Sequence, residues 1–384
     1  MKKLTLRTIA VVLAFILNVA AVPAVMAEGD NAPFDVNAKS AVLMEAETGE
    51  ILYSKSGEEA LPPASVTKVM TLLLVMEAVD SGALSLEDEV CVSDYAASMG
   101  GSQVYLEPGE VMPLEEMIKC VVIASANDAA TALAEKVAGS VEEFVNRMNA
   151  RAAELSMTST HFENPTGLDD DVQNHVTSAR DIAIMSRELL RHDTILKYSG
   201  IWMDSIRDGA FGLTNTNRLI RFYNGATGLK TGSTSKAGFC ISATAKRNGM
   251  HLIAVIMGSP TRDERNAAAK TLLDWGFGKY CLYTGEGGSA GDVRVTGGVK
   301  NSVRTTYSGL TKLLPAGRGS SVECKIETDE SAAAPIVVGQ KLGCARFILD
   351  GEEIGCCDVT AAEDVQKIGY FGVLYRVLCR FLLQ

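Results

Sequence analysis

Between Pro62-Pro63 and Ser81-Gly82 runs Ser65 to Val79, the most strongly apolar helical stretch in the middle of this chain. The proline pair and the Ser-Gly step are start and stop signals, so the stretch predicts one helix. A helix apolar on all sides is buried on all sides. The rest of the chain therefore has to pack around it, and whatever sits on it is held rigidly. Ser65 and Lys68 sit at its start, three residues apart and on one face. The Lys68 ammonium can thus reach the Ser65 hydroxyl. Serine is a poor nucleophile at neutral pH and needs a neighbouring base, and a lysine desolvated beside other cations can supply one. Such a pair is common by chance, so its meaning depends on what else the chain supplies.

The N-terminus reads as a secretory signal over residues 1–27. Lys2, Lys3 and Arg7 form a positive region, Ile9 to Ala21 an apolar core, and Val25-Met26-Ala27 a small-residue cleavage pattern. Cleavage after Ala27 is expected, with an uncleaved N-terminal anchor as the alternative. Losing those three cations takes the formal charge from −11 to −14, because no acid lies among the removed residues. A surface that acidic argues against nucleic acid as a partner. All nine cysteines follow the expected cleavage site. Cys120 and Cys240 lie in apolar runs and read as buried thiols. Cys324 with Cys344, or Cys356 with either, are possible pairs in an oxidising compartment. No cysteine or histidine spacing suggests a metal, and no cofactor is expected.

Along the chain, Ser40 to Met44 and Glu50 to Tyr53 read as a hairpin about Glu47-Thr48-Gly49. Met112 to Ala124, Ala129 to Ala138, Ser140 to Leu155 and Ser178 to Leu190 read as helices. Phe239 to Ala245 and His251 to Met257, joined at Asn248-Gly249, make the clearest hairpin, and Arg265 to Trp275 a helix after it. The expected fold is of mixed α/β (α+β) class. Over residues 28–280 one domain is expected: one antiparallel sheet holds both hairpins, helices cover both faces, and the middle of the chain forms a separate helical lobe. Short alternating segments then predict a small β domain over 281–362. At 363–384 the pattern changes to an amphipathic helix, with Gln366, Arg376, Arg380 and Gln384 gathered on one narrow side. Its broad apolar face, interrupted by Lys367, suits peripheral attachment to a membrane surface. Docking on the β domain is the alternative.

Two motifs follow Ser65-Val66-Thr67-Lys68 in order. Ser125-Ala126-Asn127 lies between two helices, and Lys230-Thr231-Gly232 precedes the late hairpin and is expected to open its first strand. These are the S-x-x-K, S-x-N and K-T-G motifs of the penicillin-recognising serine enzymes. Pro62-Pro63-Ala64-Ser65, Gly100-Gly101-Ser102, Asn164-Pro165-Thr166-Gly167-Leu168 and Gly228-Leu229-Lys230-Thr231-Gly232 add to the likeness. Over about residues 35–280 the chain resembles the serine-type D-alanyl-D-alanine carboxypeptidase family of low-molecular-weight penicillin-binding proteins. The later β segments and terminal helix resemble that family's layout.

The resemblance implies removal of the terminal D-alanine from peptidoglycan pentapeptides, and covalent inhibition by β-lactam antibiotics. It assigns Ser65 as nucleophile, Lys68 as general base, Ser125 as proton relay and Asn127 as holder of Lys68 and the substrate amide. Lys230 and Thr231 would bind the terminal carboxylate, Gly232 would let substrate backbone approach, and Ser233 would give a backbone N–H to the oxyanion hole. Arg265 is a second carboxylate contact or an exposed helix charge, with Arg262 competing for the role. His175 reads as structural. The placement implied is the outer face of the cytoplasmic membrane or the cell-wall space. A β-lactamase shares all three motifs, but Glu163 lacks the E-x-x-x-N pattern expected of class A deacylation, since the residue four later is Gly167. A D,D-endopeptidase using the same machinery, and a catalytically silent wall scaffold, are the further alternatives.

Overall fold

The computed structural model describes residues 32–169 and 172–382, so the signal-peptide reading lies outside the described residues. Strands β1 (Ser40–Glu45), β2 (Ile51–Lys55), β3 (Ala226–Thr234), β4 (Gly238–Arg247) and β5 (Met250–Ser259) form one sheet in the order β2-β1-β5-β4-β3. Each neighbouring pair is antiparallel, and β1 joins the late hairpin through Ala41 opposite Ile256 and Leu43 opposite Ala254. Asn248 and Gly249 both have positive φ, as the tight β4–β5 turn requires.

Side chains alternate across the sheet with period two. Ala41, Leu43, Ile241, Ala243, Ala254 and Ile256 pack with Ala268, Ala269, Leu272 and Leu273 of the helix Arg262–Lys279. Val42, Met44, Cys240, Val255 and Met257 face the other way, into the larger core built about helix α1 (Lys68–Asp80). Every residue from Lys68 to Met76 is buried, as an all-round apolar helix must be. A 3₁₀ turn, Ala64–Thr67, precedes it and carries Ser65.

The helical lobe follows its sequence signals closely. α2 (Leu114–Lys119), α3 (Asn127–Ala138), α4 (Val141–Glu154) and α5 (Ala179–Leu189) supply it. Ser140 caps α4 by accepting from Glu143 N, and Ser178 caps α5 by accepting from Asp181 N. The single helix expected over Met112 to Ala124 is divided. Val111–Pro113 is a strand, and Cys120–Ala124 is a π-turn in which the Cys120 carbonyl accepts from Ser125 N.

One placement needs correction. Lys230-Thr231-Gly232 does not open the first strand of the late hairpin; it lies in the middle of a separate edge strand, β3, paired with β4. Thr231-Gly232-Ser233-Thr234 lacks the alternating apolar pattern of a strand, because part of its length packs on the turn at Ser65 instead of on a hydrophobic layer. A short ribbon, Met203–Ile206 with Phe211–Thr214, also escaped the sequence reading.

After Lys279, six strands form a second sheet in the order Glu323–Thr328, Lys341–Leu349, Glu352–Ala361, Ser302–Tyr307, Gly288–Thr296, Ser331–Ala333. Its core is small: Val293, Val295, Val303, Ile336, Leu342, Ala361 and Val365. All nine cysteines are free thiols, and Cys120 and Cys240 are buried. The last helix spans Tyr370–Leu382 and leaves Tyr370, Phe371, Tyr375, Phe381 and Leu382 largely exposed. Arg376 tethers it by donating to the Val299 carbonyl at 2.7 Å.

Candidate active site

Ser65 sits where the 3₁₀ turn enters α1, and Lys68 is the first residue of α1 proper. Lys68 Nζ lies 2.9 Å from Ser65 Oγ, 2.6 Å from Asn127 Oδ1 and 2.7 Å from the Thr166 carbonyl. Lys68 is fully buried. Burial first, and the charge of Lys230 second, hold its pKa well below the ordinary lysine range, while Asp128 opposes them. A neutral amine has two N–H donors and one lone pair. The donors match Asn127 Oδ1 and the Thr166 carbonyl, which leaves the lone pair for the Ser65 O–H.

The Thr166 carbonyl is placed by a loop that sequence motifs for catalysis do not mark. Asn164 Oδ1 accepts from Thr166 N, Thr166 Oγ1 and Gly167 N. Thr71 Oγ1 donates to the Pro165 carbonyl at 2.6 Å. Gly167 has φ +81°, and a Cβ there would fall 1.9 Å from the Ala64 carbonyl oxygen, so only glycine lets this loop lie against the nucleophile turn. His175 accepts from Glu163 N at Nδ1 and so donates from Nε2 to Thr67 Oγ1. Burial lowers its pKa to about 4. It is a neutral brace between the loop and α1, as its structural reading anticipated. Glu163 accepts from the backbone N–H groups of Gln173 and Asn174, which commits its carboxylate to that loop.

Ser125 has φ 63° at the end of the π-turn. The wide turn and left-handed residue swing its hydroxyl into the cleft, a use of π-bulges common at functional sites. Asn127, the first residue of α3, donates from Nδ2 to the Gly100 carbonyl at 2.6 Å and from its backbone to the Ser102 carbonyl at 2.7 Å. Buried Asp128 accepts from Val104 N and Leu106 N, fixing the rest of that loop.

From β3, Lys230 Nζ donates to Ser125 Oγ at 2.7 Å and to the Thr231 carbonyl at 2.8 Å. Burial, then the neighbouring Arg265, brings its pKa down to about 7. A Cβ on Gly232 would stand 2.8 Å from Ser65 N and 2.9 Å from Val66 N, so glycine permits β3 to lie directly against the nucleophile turn. Thr231 Oγ1 donates to Thr216 Oγ1 at 2.8 Å. Arg265 is not an exposed helix charge. It is 3% exposed, donates to the Cys240 carbonyl and to Asn266 Oδ1, and lines the cleft. Arg262 lines the same cleft but is exposed. Ser65, Ser125, Thr231, Gly232, Ser233 and Arg265 thus share one cleft of about 640 Å³.

The family profile for D-alanyl-D-alanine carboxypeptidase matches residues 26–261. The chain belongs to the D-alanyl-D-alanine carboxypeptidase family. A second profile, for the C-terminal domain of penicillin-binding protein 5, matches residues 284–367. The D-alanyl-D-alanine carboxypeptidase DacF of Bacillus subtilis is 44% identical over 349 residues, 89% of each chain. The crystal structure of penicillin binding protein 5 from Haemophilus influenzae superposes with TM-score 0.75 at 31% identity, covering 88% of this chain and 99% of that one. Penicillin-binding protein D2 from Listeria monocytogenes, solved in an ampicillin-bound form, aligns with TM-score 0.59 at 30% identity over 64% of this chain and all of that one. The carboxypeptidase fold thus extends through the β domain, in accord with the mixed α/β architecture with an added β domain.

Within this carboxypeptidase the cleft also includes residues that sequence reasoning passed over: Trp202, Thr214, Asn215, Thr216, Arg218 and Phe222. Asn215-Thr216-Asn217 carried a signal, two asparagines of a type that brace turns. Buried Asn217 donates to the Gly228 carbonyl and so ties this segment to β3. Trp202 and Arg218 carried none, because their segments have no periodicity that predicts where they pack. Among the described residues no cluster of metal-ligating side chains occurs.

Proposed function

We propose that the chain is a serine-type D-alanyl-D-alanine carboxypeptidase that removes the terminal D-alanine of peptidoglycan pentapeptides through an acyl-enzyme on Ser65. The observation that carries this reading is the buried Lys68 amine, held by Asn127 and Thr166 with its free position on Ser65 Oγ. Lys68 takes the Ser65 proton as Oγ attacks the carbonyl of the penultimate D-alanine. The N–H groups of Ser65 and Ser233 receive the developing oxyanion, worth about 3 kcal/mol per donor. Ser125, bridged to Lys230, passes a proton to the departing amine. Lys230, Thr231 and Arg265 hold the terminal carboxylate, which makes the enzyme an exopeptidase. Water then hydrolyses the ester. β-Lactams, which present a similar carboxylate beside a reactive amide, acylate the same serine.

The commitment of Glu163 to the backbone of Gln173 and Asn174 speaks against a class A type of deacylation and for a long-lived β-lactam ester. The N-terminal sequence supports export. The exposed aromatic and aliphatic side chains of Tyr370–Leu382 support peripheral attachment to the outer face of the membrane. Among the described residues no helix is long and apolar enough to cross a membrane. The activity is tested by D-alanine release from a diacetyl-Lys-D-Ala-D-Ala peptide. Release by the wild type and at least a thousandfold loss in Ser65→Ala is expected; equal release by both proteins would refute the assignment.

A further inference from the structure

The oxyanion hole proposed above takes one of its two N–H groups from Ser233, near the end of β3. β3 is the outer strand of its sheet and is bonded to β4 on one side only. An open edge lets substrate backbone approach, but it leaves the strand end with less support than an inner strand has. Ser233 pairs with Phe239 and Thr234 with Gly238, just before the turn over residues 235–237 closes the hairpin. An oxyanion donor contributes most when it is held in place before the reaction, so that nothing has to reorient as charge develops.

Asp169 supplies the support that the sheet does not. It is 6% exposed and lies three residues beyond Thr166, whose carbonyl holds Lys68. Its Oδ2 accepts from Thr234 Oγ1, and its backbone carbonyl accepts from Lys236 Nζ. Thr234 Oγ1 in turn accepts from Ala237 N at 3.0 Å. A backbone N–H can only donate and a carboxylate can only accept, so the Thr234 hydroxyl has one orientation in this chain of bonds. Among the described residues, Asp169 is the only one outside β3, β4 and their turn whose side chain hydrogen-bonds residues 233–237. A carboxylate this buried is costly without a hydrogen bond, and the Thr234 hydroxyl provides it.

We propose that Asp169 is a positioning residue for the oxyanion hole: through Thr234 it fixes the end of β3, so that Ser233 N–H points to where the D-alanyl oxygen becomes negative. One short segment then sets both halves of the chemistry. Thr166 orients the base, Lys68, and Asp169 orients the oxyanion donor. Asp169 touches no reacting atom. Its effect falls on the transition state, where the oxygen carries charge, and leaves substrate affinity alone. The inference rests on the acyl-enzyme reading proposed above.

The test uses the full chain with two probes. One is the diacetyl-Lys-D-Ala-D-Ala peptide; the other is an acyl-D-alanyl boronic acid, whose tetrahedral adduct on Ser65 puts a boron-bound oxygen where the oxyanion forms. In Asp169→Ala, kcat should fall at least tenfold with KM within twofold of wild type. The boronic acid should bind more weakly by about the factor lost in kcat/KM. Asp169→Asn keeps an acceptor for Thr234 and should bring kcat back to within threefold of wild type. Thr234→Val should match Asp169→Ala, and carries the comparison if that variant does not fold. The double variant Asp169→Ala, Thr234→Val should be no slower than either single one, because both remove the same contact. The acid limb of acylation should keep its wild-type position. A shifted limb would mean that Asp169 acts on Lys68, and would overturn the inference. So would additive losses in the double variant, or a loss carried by KM alone. A wild type that releases no D-alanine would instead sink the acyl-enzyme reading, and the inference with it.

Discussion

At the scale of single residues, the site works by keeping two lysines close together and dry. Neither can carry its full charge cheaply there, and the cost is met by lowering their pKa values. Burial is the main cause at Lys68 and the charge of Lys230 the second. The sign of a pH effect follows. Protonated Lys68 cannot accept the Ser65 proton, so acylation fails as the pH falls through the Lys68 pKa. Lys230, with a pKa of about 7, is charged on the acid side of neutrality, where it helps to keep Lys68 neutral. In Lys230→Gln the acid limb of the acylation rate should therefore move to higher pH, apart from any loss of overall rate through the missing carboxylate contact. Stopped-flow acylation by a chromogenic β-lactam between pH 4 and 9 measures it. A limb that stays in place would show that Lys230 does not govern Lys68.

At the scale of elements, the turn leading into α1, β3 and the segment about Gly167 are pressed together at positions where a single added methyl cannot fit. Gly167→Ala combines a left-handed backbone with a Cβ contact of 1.9 Å on the Ala64 carbonyl. A penalty of at least 2 kcal/mol, or roughly 4–8 °C in Tm, is expected from strain and overpacking in a domain of this size. A melt within 1 °C of wild type would contradict it. The same elements show what a sequence reveals. α1 was legible because an apolar run has one physical outcome, and the helices expected from Ser140 and Ser178 begin one residue later, with those serines as their caps. The two hairpins were legible from alternation and from Asn248-Gly249. The mid-strand position of Lys230-Thr231-Gly232 was not, because its partner surface is the turn at Ser65, distant in sequence. Ser65, Lys68, Ser125 and Asn127 could be picked out by residue type and spacing. The Thr166 carbonyl could not: backbone acceptors have no residue identity to read.

At the scale of the whole molecule, the catalytic cleft, the β domain and the terminal helix follow one another along the chain and suggest a division of labour. Val365 is buried in the β-domain core and pairs with Ile336, so a clean cut belongs beyond it. A chain ending at Gly369 should lose sedimentation with phospholipid vesicles while its kcat/KM on the soluble peptide stays within twofold of the full chain. Retained binding to vesicles would remove the helix from the anchoring role. The central claim remains that one serine, Ser65, forms the covalent intermediate. Intact-mass analysis after incubation with benzylpenicillin, followed by peptide mapping, tests it most directly. A single adduct on the peptide containing Ser65, with D-alanine release lost in step, is the expected result. An adduct on another residue, or one that persists in Ser65→Ala, would contradict the account.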